Sequence, residues 1–373
     1  MPTPPPRPPF PEPVRISRTA PLPESFGGYQ SFPMLAVDEA NVLLAFRRAQ
    51  SLARAPGEAT GHGPAGEIYL ARSEDGGRTF SRPRLTVPHI PGRTNEHDAL
   101  LSRLPDGRLA LITRSHGPGE FANRIQFSGD GGRTFGLPAR LAVPGGYGAF
   151  FGHLVPDAGG SALLGTFYHG DGVVLVELDP ARFAAPSLEP INLPLRGLIH
   201  RNSGASRLNE TSLARLPSGR LVALMREQPV IKGLHLTFSD DDGRTFAPPR
   251  PIGVIGEAAS LLALPGGGLL ALYRDLDPDR LAGADYADPD IPDPNADNAD
   301  KPPHPCAVSL LHSPDGGQTW SRPRILVRYD GGRYHGGYGD LASLPGGDIL
   351  AACHLAPHPG DLPMLACFQF RLA

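Results

Sequence analysis

Four copies of one octapeptide constrain this chain more than anything else in it. They are Ser73-Glu-Asp-Gly-Gly-Arg-Thr-Phe80, Ser128-Gly-Asp-Gly-Gly-Arg-Thr-Phe135, Ser239-Asp-Asp-Asp-Gly-Arg-Thr-Phe246 and Ser313-Pro-Asp-Gly-Gly-Gln-Thr-Trp320. Each has the form Ser-x-Asp-x-Gly-x-Thr-aromatic, and each follows a short apolar run such as Ile68 to Ala71. These are the residue types of a tight hairpin turn. Glycine takes positive φ without steric cost, the Asp carboxylate accepts from turn amides, and the aromatic tucks beneath. Four copies in register mark a repeat architecture, each copy belonging to one supersecondary unit.

A second repeat sets the number of units. An apolar run, a Pro/Gly turn and another apolar run recur six times, over 33–47, 100–114, 153–169, 212–226, 260–274 and 340–354. Each reads as two inner strands of a blade joined by a hairpin, with the octapeptide joining strands three and four. A degenerate box near Leu178 to Phe183 fits the third unit. The octapeptides resemble the Asp-box repeats of the sialidase (neuraminidase) superfamily, and that resemblance implies a six-bladed β-propeller. The expected fold is therefore all-β, with six four-stranded antiparallel blades and no helix. Residues 1–13 are expected as a Pro-rich disordered arm, and 14–373 as one propeller with Val14–Thr19 closing the ring as an outer strand.

Bulk properties narrow the function classes. A net charge of −3 gives no reason to expect nucleic acid as a partner, and no apolar run is long enough to span a membrane. Three cysteines without metal spacing read as reduced structural thiols, so a cytoplasmic setting is expected. The stretch 275–304 holds nine Asp and explains the long gap between the last two boxes. It lacks the order of an EF-hand loop, so it reads as a solvated loop insertion in blade five; a lid or a Ca²⁺ loop are the functional alternatives. No other cofactor is indicated.

Propeller geometry places the starts of strand one and the ends of strand two on one face, where a site is normally built. Those positions carry Glu96, His97, Asp98, His153, Glu210, Glu257, Tyr338 and Asp340, and Arg47, Arg114, Arg226 and Arg274 end four of the second strands. Guanidinium groups converging on a channel suit a carboxylate. Asn209 to Arg226 resembles the sialidase segment that carries the family's Glu and one clamp Arg, and Gly337-Tyr338-Gly-Asp340 resembles the nucleophile segment. The resemblance implies Tyr338 as nucleophile, Glu210 as its base and Arg226, with Arg274 or Arg47, as an anion clamp. Sialidases open their first blade with Arg-Ile-Pro, whereas this chain has Gln30-Ser31-Phe32-Pro33. The acid/base Asp of that family has no counterpart within 51–66, which offers Glu58 and His62. His97 and Asp98 are the substitutes for proton transfer, and Arg114, His153, Glu257 and Asp340 are expected to bind substrate. The expected function is a glycoside hydrolase acting on an acidic or otherwise non-standard terminal sugar. The alternatives are a lyase of uronic acid linkages using His97 or His153 with Tyr338, and a non-catalytic carbohydrate- or protein-binding propeller.

Overall fold

The computed structural model describes residues 7–22, 26–39, 41–50, 64–117, 120–143, 148–183, 189–203, 207–228, 233–278, 306–331 and 335–373. Within them the chain is an all-β propeller without an α-helix. The first sheet holds β2 (Tyr29–Asp38), β3 (Asn41–Ala49), β4 (Glu67–Ser73) and β5 (Arg84–Val87). The second holds β6 (Asn95–Arg103), β7 (Leu109–Gly117), β8 (Glu120–Ser128) and β9 (Ala139–Ala142), with the short β13 (Ile191–Asn192) added parallel to β9. The third holds β10 (Gly148–Pro156), β11 (Leu163–His169), β12 (Gly172–Leu178) and β14 (Leu195–Arg201). The last consists of β22 (Gly336–Ser343), β23 (Ile349–Leu355), β24 (Met364–Leu372) and β1 (Pro13–Thr19), which pairs antiparallel with β24.

The expected six separate four-stranded sheets are not what hydrogen bonding delimits. Between the third and last sheets lies one seven-stranded sheet: β15 (Arg207–Arg215), β16 (Leu221–Gln228), β17 (Gly233–Ser239), β18 (Arg250–Ala263), β19 (Leu269–Asp275), β20 (Cys306–Ser313) and β21 (Arg324–Tyr329). The cause is β18, which runs unbroken for 14 residues. Its first half pairs with β17 and its second half with β19. Gly253 and Ala258 take positive φ within it, but as bulges in the two pairings rather than as a chain reversal, so the strand passes from one pairing to the next.

The core is a series of apolar clusters between neighbouring sheets. Val42, Leu44 and Phe46 of β3 meet Leu350 and Ala352 of β23, and Leu164 and Leu175 meet Leu221 and Met225. The octapeptide turns lock onto these clusters. In each, the Ser hydroxyl accepts from the Gly amide four residues on, at 2.7–2.8 Å, and the Asp carboxylate accepts from the Thr amide at 2.9 Å and the Thr hydroxyl at 2.6 Å. The Thr bonds hold the Asp75 and Asp241 carboxyls at about 2. The glycine is required twice over. Gly77 has φ +86° and a Cβ there would sit 2.6 Å from Leu350, just as one on Gly317 would sit 2.6 Å from Leu236. The expected degenerate box is instead a 3₁₀ turn over Pro180–Phe183, without the Ser and Thr braces.

Residues 7–13 depart from the disordered arm expected of them. Phe10 is buried in the cluster of Leu270, Val308 and Tyr329. Arg7 donates to the carbonyls of Ile252 and Gly253, and the Arg322 amide donates to the Pro8 carbonyl at 2.8 Å. One apolar anchor with hydrogen bonds just before it offsets the entropy of ordering a Pro-rich segment, which is small to begin with. The expected insertion at 275–304 lies almost wholly outside the described residues, as do Glu58 and His62.

One carboxylate ties the inner strands together. Asp340 on β22 has no solvent exposure, and it accepts from the Leu35 amide at 2.7 Å, the Ser260 hydroxyl at 2.8 Å and His153 Nε2 at 2.8 Å. His153 Nδ1 lies 2.9 Å from the Leu101 carbonyl. Both ring nitrogens thus face atoms that only accept, so the ring satisfies them as an imidazolium. Burial opposes that charge, but the Asp340 carboxylate and the two hydrogen bonds outweigh it and raise the His153 pKa. A raised histidine contributes stability that is complete below about pH 6.5 and is lost as pH rises through the folded value. The melting temperature should therefore fall between pH 6.5 and pH 9. His153→Gln should lower it at pH 6 by an amount equivalent to about 3 kcal/mol and flatten that slope. Thermal melts across this range would show it; equal slopes in both proteins would refute the imidazolium assignment.

Candidate active site

The inner strands share one irregularity at the mouth of the channel. Pairing register shifts between Ser31 and Met34, His97 and Ala99, Phe151 and Val155, Asn209 and Thr211, Glu257 and Ser260, and Gly336 and Gly339. These are β-bulges, which re-aim a side chain by inserting one residue. Five of them carry a residue at positive φ: Phe32 (52°), Asp98 (52°), Gly152 (72°), Ala258 (53°) and Gly337 (93°). For Phe32, Asp98 and Ala258 that conformation costs roughly 1–2 kcal/mol each. Strain of this kind concentrates at functional sites.

Tyr338 sits beside the last bulge and points its hydroxyl at Glu210. The phenol donates to Glu210 Oε1 at 2.6 Å, and Arg226 Nη1 reaches Glu210 Oε2 at 2.9 Å and the Tyr338 oxygen at 3.3 Å. Arg226 is fixed in turn by Asn209, which accepts from its Nε at 2.7 Å. Burial and the Glu210 charge push the Tyr338 pKa well above 10, so the phenol stays protonated at neutral pH. Burial also raises Glu210 above the usual carboxylate range, against the pull of Arg226 and the Tyr338 hydrogen bond. The pair is a neutral hydroxyl hydrogen-bonded to a desolvated base, the arrangement an activated oxygen nucleophile requires.

The structure brings together Tyr338, Glu210 and Arg226 as the sequence implied. Arg274 joins them differently. Its guanidinium lies 4.8 Å over the Tyr338 ring, while Nη1 binds Glu257 at 3.1 Å and Nε binds the Gly336 carbonyl at 2.8 Å. Gly337 permits this, because a Cβ there would meet Arg274 at 2.6 Å. Arg274 is 2% exposed and Glu257 0%, so the two form a buried pair beneath Tyr338. Arg47 is equally enclosed at 0% exposure, donating to the Glu96 carbonyl at 2.8 Å and Asn95 Oδ1 at 3.0 Å. Arg114 is half-buried and binds Asp98 at 2.9 Å. His97 is buried, its ring 6.2 Å from His116. Asp340 and His153, expected to bind substrate, are taken up in the axial network described above.

Other residues lie at the mouth, of which Phe151 and His354 hold strand-end positions on the site face and Phe32 and Tyr168 were not singled out from sequence. The Phe32 ring meets Tyr338 edge-on at 4.8 Å, Phe151 lies at 6.3 Å, and His354 stacks on Tyr338 at 6.0 Å. Burial and the nearby Arg274 push His354 down to about 3, so it is a neutral packing ring. Half-buried Tyr168 stands in the combined field of Glu210, Arg114, Asp98 and Arg226; burial first, then Glu210, raises its pKa. Its only sequence signal was its place next to His169 at the end of a second strand. Among the described residues no group of three or more His, Cys, Asp or Glu could hold a metal ion, and no helix is long and apolar enough to cross a membrane.

No protein-family model and no curated protein matches the chain. Solved structures do match. A protein of unknown function from Dyadobacter fermentans DSM 18053 is 18% identical, with 97% of this chain and 99% of that one covered and a TM-score of 0.70. The phage phi92 endosialidase is 10% identical over 96% of this chain and 69% of its own, with a TM-score of 0.65. The intramolecular trans-sialidase from Ruminococcus gnavus is 12% identical over 92% and 94%, with a TM-score of 0.61. At these identities the likeness is one of fold: this chain is similar to the propellers of sialidases.

Proposed function

We propose that the chain is a sialidase-like glycoside hydrolase acting on a terminal sugar, with Tyr338 as nucleophile and Glu210 as its base. The observation that carries this reading is the 2.6 Å hydrogen bond from Tyr338 to Glu210, with Arg226 bridging both. In the first step the Tyr338 oxygen bonds to the anomeric carbon while its proton passes to Glu210. The bond from that carbon to the leaving oxygen breaks, and the leaving oxygen takes a proton from solvent. In the second step Asp98, paired with Arg114 at 2.9 Å, accepts a proton from the attacking water and passes it to solvent. The bond to the tyrosine oxygen breaks, and the phenol regains its proton from Glu210. Both steps together leave the anomeric configuration retained. In this reading the seven-stranded sheet counts as two blades sharing β18, and the six inner-strand bulges support a count of six. The ligand is carbohydrate, and no cofactor takes part.

Elimination is less well served. A lyase needs a histidine that can exchange protons beside Tyr338, yet the neighbour there is His354, fully buried and held neutral. His153 is committed to Asp340, and His97 is buried.

Tyr338→Phe should lower kcat/KM by ~10³-fold or more while shifting the melting temperature by only a few degrees, since one hydrogen bond is lost. Retention of full activity would exclude Tyr338 as nucleophile. The acid limb of the kcat/KM profile should follow Glu210, which must be ionised to act. Activity should fall as pH drops through a midpoint above the usual carboxylate value of about 4.3. A limb at or below that value would place another group in the role.

A further inference from the structure

We infer that Glu257 is a positioning residue that holds in place both arginines meeting Tyr338, an inference that rests on the glycosidase reading of the same site. Glu257 lies on β18 where its pairing bulges, has no solvent exposure and pairs in register with Arg274 of β19. Its two carboxylate oxygens serve different strands. Oε2 accepts from Arg274 Nη1 at 3.1 Å, and Oε1 accepts from Nε2 of Gln228, on β16, at 3.2 Å. Gln228 Oε1 accepts in turn from Asn209 Nδ2 at 3.3 Å, and Asn209 Oδ1 accepts from Arg226 Nε at 2.7 Å. One carboxylate is thus joined to Arg274 directly and to Arg226 through two side-chain amides. The double pairing of β18 makes this possible, since β18 links the half-sheet that carries Arg226 to the half-sheet that carries Arg274.

The direction of each bond in this relay follows from its acidic end. A carboxylate paired with a guanidinium only accepts, so Gln228 turns its amide nitrogen to Glu257 and its oxygen to Asn209. Asn209 must then donate to Gln228, which leaves its own oxygen for the Nε–H of Arg226. That bond fixes the plane of a guanidinium that would otherwise turn about its stem. It aims Nη1 at Glu210 Oε2 and the Tyr338 oxygen, 2.9 and 3.3 Å away. On the other arm Arg274 is held 4.8 Å over the Tyr338 ring, with its Nε on the Gly336 carbonyl of the same strand. In the proposed first step negative charge grows on the Tyr338 oxygen while a proton moves to Glu210. Two cations kept in fixed places beside that phenol stabilise the change without having to reorganise. Glu257, with no exposure, does not reach a bound sugar and acts through the arginines it holds.

The test combines two readouts on the full chain: hydrogen exchange at the Nε–H groups of Arg226 and Arg274, followed by NMR, and kcat and KM on a panel of neutral and acidic 4-methylumbelliferyl glycosides. Gln228→Met removes the amide link and leaves every charge in place. It is expected to speed exchange at Arg226 by ~10-fold or more, to leave Arg274 unchanged, and to lower kcat by ~10-fold with KM within ~3-fold. Glu257→Gln is expected to speed exchange at both arginines and to lower kcat by up to ~100-fold. Should that variant fail to fold, Gln228→Met decides alone. Unchanged exchange at Arg226 in Gln228→Met overturns the inference, as does faster exchange with an unchanged kcat. Equal loosening of both arginines in Gln228→Met also overturns it, since that marks a general loss of packing. If the parent protein turns over no glycoside, the glycosidase reading fails, and the exchange rates alone decide whether the relay holds Arg226.

Discussion

The side chain of Asp340 has no contact with solvent, and a carboxylate so placed must be met by donors on every side. Its donors come from three other parts of the ring: the Leu35 amide on β2, His153 on β10 and Ser260 on β18. The inner strands therefore cannot slide past one another without leaving that charge unmet. Shorter ties run beside it, from the Leu154 amide to the Ser102 hydroxyl at 2.9 Å and from the Leu261 amide to the Ser212 hydroxyl at 3.0 Å. Tyr338 lies two residues before Asp340 on the same strand. The network that closes the axis thus also fixes the height of Tyr338.

Above the axis, each inner strand bulges, and the bulges decide which groups face the mouth. They cost backbone strain at Phe32, Asp98 and Ala258, which the rigid ring over-determines. The arginines that end the second strands answer to the same geometry. A guanidinium buried at a strand end needs an acceptor within reach, and the neighbouring first strand supplies one: Glu257 opposite Arg274, and the carbonyl of Glu96 near Arg47. Four arginines in one register therefore hold the mouth together from within, and among the described ones Arg226 hydrogen-bonds the Tyr338 oxygen.

Much of this was legible in the residues, and the limits have physical causes. The octapeptides were readable because their chemistry is local; Ser, Asp, Gly and Thr satisfy one another within eight residues. Tyr338, Glu210 and Arg226 were found through segment resemblance, and they come together as that resemblance implied. The partners of the arginines were not legible, since a sequence shows that an Arg ends a strand but not which acceptor a neighbouring strand brings to it. The bulges were invisible because three of them place Phe, Asp or Ala at positive φ, where glycine would have been the signal. The run of β18 through two pairings was not legible either, since Gly253 bends the strand as a bulge instead of reversing it. Phe10 was lost in a Pro-rich stretch whose composition reads as unstructured although one ring anchors it.

The central claim is that Tyr338 forms a covalent bond to the sugar. It is tested most directly by trapping that bond with fluorosugar fluorides, whose second step is slow, and mapping the adduct by peptide mass spectrometry. The account predicts one glycosyl unit on the peptide containing Tyr338 and none on the Tyr338→Phe protein. An adduct on Glu210 or Asp98, or turnover without any adduct, would contradict it.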